Sequence, residues 1–78
     1  MKAQRVQLAQ ALVAISPNVT ADDRSACAKK YNISKQTICY YLNGRVTNND
    51  KALLVLEYLK KRIHNRQQEI EQICQNNN

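Results

Sequence analysis

The stretch from Tyr31 to Gly44, YNISKQTICYYLNG, is dense in hydrogen-bonding side chains of modest size. Lys donates to O6 and N7 of guanine, Gln bonds adenine at N6 and N7, and the methyl group of Thr contacts that of thymine. Lys35, Gln36 and Thr37 supply these three chemistries in consecutive positions. The segment therefore has the composition of a surface that reads base edges in a groove of DNA.

The charged residues in and around this segment are mostly positive. Five Lys or Arg residues and no acidic residue occur from Arg24 to Arg45, and the whole chain has a formal net charge of +6. Each cation placed near a phosphate releases condensed counterions, so this excess suits a polyanion. A solvated charged face explains the charges equally well when they are considered alone.

The composition predicts a small helical domain. The chain has 78 residues, with one Gly, one Pro and no Phe or Trp, so the turn residues that strands require are scarce. We expect an all-α bundle of four to five helices in one domain. No apolar run approaches the ~18 residues of a membrane span, which predicts a soluble, cytoplasmic protein without a membrane partner.

The cysteines do not indicate a metal or disulfide site. Cys27, Cys39 and Cys74 form an odd set without a CxxC pair, which favours reduced thiols. Their spacing from His64 matches no familiar zinc pattern, so we expect no metal and no other cofactor. His64 has no evident acid or nucleophile partner, which argues against an enzyme and against a small-molecule substrate. For Cys39 an oxidation switch is the alternative to a small, tolerated residue.

Periodicity predicts four helices, over residues 2–15, 21–31 and 35–43 and from about Asp50 onward. The first carries a wide apolar stripe expected to pack on the core: Val6, Leu8, Ala9, Leu12, Val13 and Ile15. Pro17 and Asn18 follow this stripe and are expected to end the helix.

Short polar residues mark the helix junctions. Thr20 is a natural N-cap, with Asp23 in the position of its capping-box partner. Asn32 tolerates a left-handed backbone conformation, and Ser34 can cap the next helix. Gly44 is the expected C-terminal stop of that helix. One of the residues Thr47, Asn48 and Asn49 is expected to cap the last helix.

The last helix has two interpretations. Apolar residues alternate steps of three and four, with a charged interruption at Arg66: Leu56, Leu59, Ile63, Ile70 and Ile73. This spacing indicates a short coiled-coil contact. In the other interpretation Leu53, Leu56 and Leu59 close the core and the Gln-rich end frays. We therefore divide the chain into a domain over residues 1–64 and a helical extension or frayed tail over residues 65–78.

The second and third helices together have the features of a helix-turn-helix. Ala28 is small where the two helices would cross, and Asn32 stands four residues later, where the turn needs a positive φ. Apolar residues follow at the positions that must face inward: Ile33, Ile38, Tyr41 and Leu42. Residues 34–43, SKQTICYYLN, resemble the recognition helix of the lac repressor family. The order of elements resembles the lambda repressor and Cro family, which usually has Gly in place of Asn32 and lacks so long a C-terminal extension.

This resemblance implies that the third helix lies in the major groove and that the second crosses the DNA backbone. The residues then expected to contact bases are Ser34, Lys35, Gln36, Thr37, Cys39, Tyr40 and Asn43. Those expected to contact phosphates are Arg24, Lys29, Lys30, Arg45 and Lys51. Tyr40 has a second interpretation, which is packing across a neighbouring helix.

The expected function is sequence-specific binding of double-stranded DNA by a small repressor-like transcription regulator of the prokaryotic or phage nucleoid. One recognition helix reads too few base pairs to stand out among genomic sites, so a homodimer is expected. Its contact is assigned to the apolar positions of the last helix: Leu56, Leu59, Ile63, Ile70 and Ile73. Two alternatives are a DNA-architectural accessory protein of a mobile element and a protein-interaction module that uses the C-terminal helix.

Overall fold

A computed structural model describes the backbone of residues 2–76 and the side chains of residues 4–70. Within this part of the chain the regular elements are all helical, which confirms the predicted all-α class. They are α1 (Lys2–Ile15), a 3₁₀ turn (Ser16–Asn18), α2 (Ala21–Tyr31), α3 (Lys35–Leu42) and α4 (Asn49–Asn76). The predicted bounds of α1 and α2 are confirmed, whereas α3 ends one residue earlier than predicted. The 3₁₀ turn was not predicted.

The core lies where α1 and α2 both pack against α3 and α4. Its fully or almost fully buried side chains come from each of the four helices and include Leu12, Cys27, Ile38, Tyr41, Val55 and Leu59. Burial of each large apolar side chain contributes roughly 1.5–3 kcal/mol. α3 supplies three of the buried residues from only two turns, namely Ile38, Tyr41 and Leu42. One side of α3 is therefore fixed to the core.

The apolar stripe predicted for α1 is only partly correct. Leu8 and Leu12 are buried, but Val6 and Val13 are 52% and 49% exposed. These two valines lie on the opposite side of the helix, because positions 6 and 13 are roughly 140–160° around the helix axis from Leu8. Leu53, which was expected to close the core from α4, is also exposed.

The first half of α4 closes the core, and its later turns extend past it. Ala52, Val55, Leu56, Leu59 and Ile63 are buried, whereas every side chain over residues 67–70 is exposed. The helix has 28 residues, a length of about 42 Å at 1.5 Å per residue. The longest dimension of the molecule is 48 Å and the other two are 26 and 17 Å, so α4 sets the long axis.

Asp23 is the buried charge that connects the helices. The predicted capping box is confirmed, because the Asp23 carboxylate accepts from the Thr20 N–H at 3.0 Å while the Thr20 hydroxyl accepts from the Asp23 N–H at 3.1 Å. The same carboxylate accepts from Arg62 Nε at 2.8 Å and from Arg66 Nη1 at 3.0 Å. Arg66 also donates to the carbonyl of Asn18 at 2.8 Å. α4 is therefore tied both to α2 and to the 3₁₀ turn that follows α1.

The environment of Asp23 stabilises its charged form. Burial alone would raise the pKa of this carboxyl, but the hydrogen bonds from Arg62, from the Thr20 N–H and from Arg66 outweigh it and lower the pKa from 3.8 to about 2. In return, the hydrogen bond to Asp23 raises the pKa of Arg62. Since the folded-state pKa lies below the unfolded value, the carboxylate stabilises the fold above pH 3.8, and this contribution is lost as the pH falls toward 2.

We predict that the free energy of unfolding falls by about 2 kcal/mol between pH 4 and pH 2 because of Asp23 alone. Asp23→Asn should remove this pH-dependent loss and lower stability at pH 7 by ~2–4 kcal/mol, since two Arg side chains then lose their carboxylate. Urea unfolding followed by circular dichroism at a series of pH values measures both effects.

Asp22→Asn is the matched control, because the Asp22 side chain is exposed and adjacent in sequence. It should change stability at pH 7 by no more than about 0.5 kcal/mol. If the two variants have the same pH profile, Asp23 does not connect the helices as described.

Candidate nucleic-acid interface

The turn between α2 and α3 fixes the direction in which α3 leaves α2. Asn32 has φ 53° and ψ 47°, the left-handed conformation predicted for it. The Ala28 carbonyl accepts from the Asn32 N–H and, at 3.0 Å, from the Ile33 N–H. Ile33 is buried beneath the turn. This turn joins α2 to α3 through three residues and needs no glycine, because Asn tolerates the left-handed region.

Ser34 begins α3 as predicted. Its hydroxyl accepts from the Thr37 N–H at 3.1 Å and lies 2.7 Å from the Thr37 hydroxyl. Both hydroxyl groups are therefore engaged in closing the first turn of the helix. Of the residues expected to contact bases, Ser34 and Thr37 are the two whose polar atoms already have partners within this turn.

The outward side of α3 presents the other expected base-contacting residues. Lys35, Gln36, Cys39, Tyr40 and Asn43 are all exposed, whereas Ile38 and Tyr41 between them are buried. The 3.6-residue period of the helix produces this division. The structure thus brings five of the seven expected base-contacting side chains to one exposed surface, which we call the α3 surface.

The turn that ends α3 places the cation of Arg45 beside this surface. Gly44 has φ 92°, its N–H donates to the Tyr41 carbonyl at 3.0 Å, and the Arg45 N–H donates to the Tyr40 carbonyl at 2.8 Å. These two bonds are those of a Schellman motif. The motif brings Arg45 back over α3, so that its guanidinium carbon lies 5.8 Å from the centroid of the Tyr40 ring.

Gln36, Tyr40 and Arg45 form a connected row on the α3 surface. Gln36 Nε2 donates to the Tyr40 hydroxyl at 2.7 Å, and Arg45 lies over the ring of the same tyrosine. An amide and a phenol on α3 and the guanidinium of the residue after its C-terminal turn are thereby held side by side. Such groups bond base edges and phosphates. The Tyr40 side chain is 42% exposed, and its hydroxyl and ring contact Gln36 and Arg45, so these contacts do not favour the alternative interpretation of Tyr40, packing across a neighbouring helix.

The residues expected to contact phosphates are not all gathered at α3. Arg24 is half-buried, with Nη1 3.5 Å from the Val19 carbonyl. Lys29 is exposed on α2 and Lys51 on the first turn of α4, where Asn48 caps the helix by accepting from the Lys51 N–H at 3.0 Å. Lys30 instead lies between α2 and α4, 5.9 Å and 5.8 Å from the ring centroids of Tyr31 and Tyr58.

The dimer contact assigned to α4 needs correction. Leu56, Leu59 and Ile63 are buried in the core of the single chain, so they have no free surface for a second copy. The alternative, that Leu56 and Leu59 close the core, is confirmed. Ile70 is 56% exposed, and the side chain of Ile73 lies outside the described residues. Arg66, interpreted from sequence as an interruption of the seam, is a partner of Asp23.

The two described cysteines differ in environment. Cys39 is exposed on the α3 surface, while Cys27 is buried in the core. Burial raises the pKa of the Cys27 thiol to about 11, although the charge of Arg62 partly opposes this rise. Among the described residues no group of three or more His, Cys, Asp and Glu side chains is placed to hold a metal ion. In the same residues, no helix is both long enough and apolar enough to cross a membrane.

Comparison with known proteins gives no relative: no family model, no curated protein and no solved structure matches the chain. Function is therefore inferred from the residues of the molecule itself.

The turn before α3 generates a stability prediction. Asn32→Ala should lower the free energy of unfolding by about 1 kcal/mol, because Ala pays the full steric cost of the left-handed conformation. Asn32→Gly, the matched control, should stay within about 0.5 kcal/mol of the parent, since Gly adopts this conformation freely. Chemical denaturation of the three proteins measures the difference. Equal losses in the two variants would show that the backbone conformation at residue 32 is not the constraint.

Proposed function

We propose that this chain binds double-stranded DNA sequence-specifically, with α2 and α3 acting as a helix-turn-helix and α3 lying in the major groove. The observation that carries the proposal is the exposed Gln36–Tyr40–Arg45 row, which α3 and its C-terminal turn present while the other side of α3 is fixed in the core. A rigid helix that presents amide, phenol and cationic groups outward fits the major groove, which admits an α-helix. The resemblance of residues 34–43 to a repressor recognition helix supports the same proposal.

The charge around α3 favours a polyanion. Residues 24–49 contain no Asp or Glu, and Asp23, the nearest acid before them, is buried between two Arg side chains. No carboxylate of this segment would oppose the approach of phosphates. Lys35 and Arg45 are exposed on the α3 surface, and Lys29 and Lys51 are exposed on α2 and α4. We assign the positioning on the DNA backbone to Lys29, Arg45 and Lys51, and we keep Lys35 as a base-contacting residue.

The proposed biological role is that of a small repressor-like regulator in a prokaryote or phage, which occludes a promoter. The proposal is for binding and not for catalysis, since the α3 surface consists of groups that bond bases and phosphates. A homodimer remains part of the proposal, because a pair of recognition helices is needed for useful specificity. Its contact must lie outside Leu56, Leu59 and Ile63. Among the described residues first assigned to it, Ile70 on the extended part of α4 is exposed and suits it.

Selection of bound duplexes from a random pool at ~150 mM salt, where non-specific binding is weak, tests this function. We expect enrichment of an inverted repeat whose half-site centres are about one helical turn, ~34 Å, apart. Enrichment of a single half-site would retain the DNA-reading function and remove the dimer. No enrichment above background would overturn sequence-specific binding.

Gln36→Ala should reduce discrimination at one base pair of the selected site by ~1–3 kcal/mol while non-specific binding is kept, because the amide that reads the base is lost. Lys51→Ala should weaken binding to all duplexes alike and reduce the slope of log affinity against log salt by about one. Fluorescence anisotropy with matched and single-mismatch duplexes at several salt concentrations measures both.

Lys60→Ala is the control for charge, because Lys60 is exposed on α4 but lies more than two helical turns from Lys51. It should leave both the specificity and the salt slope close to those of the parent. If Gln36→Ala and Lys51→Ala behave identically, the division of the interface into base-reading and phosphate-contacting residues is wrong.

A further inference from the structure

A groove between α2 and α4 shares no residue with the Gln36–Tyr40–Arg45 row and has a chemistry of its own. It encloses about 410 Å³, and its lining contains the cations Lys30, Lys61 and Arg62 and a single carboxylate, that of Glu57. Tyr31 and Tyr58 form its apolar wall. The groove is thus predominantly cationic and has the size of a small-ligand site, which is commonly 300–1,000 Å³.

The two tyrosines of this apolar wall pack against each other. Their rings meet edge to face, with centroids 5.7 Å apart and planes at 87°. This pair connects the C-terminal end of α2 to the middle of α4. Aromatic pairs of this geometry add to the stability of the packing beyond the area that they bury. The wall is therefore built from both helices and does not depend on a mobile loop.

The cations of the groove are held in place by these rings and by Asp23. The ammonium of Lys30 lies 5.9 Å and 5.8 Å from the centroids of Tyr31 and Tyr58. The guanidinium carbon of Arg62 lies 5.8 Å from the centroid of Tyr58, while its Nε is fixed by the Asp23 carboxylate at 2.8 Å. Aromatic faces attract cations without neutralising them. Two positive charges are therefore pre-positioned at the groove.

The ion cluster that includes Arg62 has a net positive charge. Asp23 is shared by Arg62 and Arg66, so one carboxylate serves two guanidinium groups. Lys61 adds a further cation on the rim, and Asn65 adds an amide. Several hydrogen-bond donors thus line a concave surface. Among the described residues that line it, Glu57 is the only one with a negative charge. A group with several acceptor oxygens and more than one negative charge satisfies such a set better than a single carboxylate does.

We propose that the α2–α4 groove is a phosphate-binding site, in which Lys30 and Lys61 contact the phosphate oxygens and Arg62 contributes a fixed positive charge. The phosphate group is carried either by a small phosphorylated molecule or by the backbone of a nucleic acid. The site does not require that α3 read DNA.

Titration of the ¹⁵N-labelled protein with pyrophosphate, at ionic strength held constant with chloride, tests the site. We expect saturable amide shifts concentrated at residues 30–31 and 57–62. Lys61→Ala should raise the pyrophosphate Kd about tenfold, the change expected for loss of one charge-assisted contact, and Lys30→Ala should do the same. Their matched control is Lys60→Ala, whose side chain is exposed but does not line the groove.

Absence of saturation, or equal affinity in the groove variants and their control, would overturn the site. A thermal denaturation curve for each variant separates loss of binding from loss of folding.

The same titration in the presence of duplex DNA distinguishes the two sources of phosphate. If the groove receives the DNA backbone, duplex and pyrophosphate compete, and Lys61→Ala reduces the salt slope of duplex binding by about one. If it receives a small molecule, pyrophosphate binds the DNA-bound protein and Lys61→Ala leaves duplex affinity unchanged. If the chain does not bind duplexes at all, the pyrophosphate titration without DNA still tests whether the groove binds phosphate.

Discussion

The Asp23 side chain is fully buried at the N-terminus of α2 and accepts hydrogen bonds from Thr20, which precedes that helix, and from two arginines of α4. Through the Thr20 N–H it closes the first turn of α2, and through Arg62 and Arg66 it fixes α4 against that helix. Arg66 extends the connection to the Asn18 carbonyl. Removing the carboxylate would leave two half-buried guanidinium groups without their partner. The resulting loss of folding free energy exceeds the net stabilisation that the intact cluster provides.

The position of α3 depends on this arrangement. α3 has only eight residues, and isolated helices shorter than ~12 residues are marginal in water. It is held by Ile38, Tyr41 and Leu42, which pack into a core completed by α1, α2 and α4. The left-handed residue Asn32 sets its start, and the motif at Gly44 sets its end. The outward side chains are therefore free for contacts with a ligand, because the inward ones carry the folding energy.

Much of this fold was predictable because its signals are local. The Thr20–Asp23 capping box, the left-handed Asn32, the Ser34 cap and the Gly44 stop each depend on residues within a few positions of one another. The alternation of buried and exposed residues on α3 also follows from sequence, since its inward residues are apolar and its outward ones are polar.

The features that could not be predicted from the sequence are those that depend on contacts between residues far apart in the chain. The contacts of Asp23 with Arg62 and Arg66 span 39 and 43 residues, and the spacing of Arg66 suggested only a flaw in a coiled-coil seam. The spacing of apolar residues in this seam does not distinguish a helix packed in the core from a helix in a dimer contact, because both require apolar residues at the same helical positions. The exposure of Val6 and Val13 was missed because a wide apolar stripe does not reveal how much of it the neighbouring helices cover. Similarly, the cationic side chain of Lys30 gave no sign that it lies beside two tyrosine rings on the α4 side of α2.

The most direct test of the central claim is to map the amide resonances of the ¹⁵N-labelled protein during titration with a short DNA duplex at low salt, where any basic DNA-binding surface is engaged. If α3 enters the major groove, the largest shifts will lie at residues 34–40 and at Asn43 and Arg45, with smaller shifts at Lys29 and Lys51. Shifts confined to α4 or to the α2–α4 groove, with the amides of α3 unchanged, would contradict the assignment of α3 as the recognition helix.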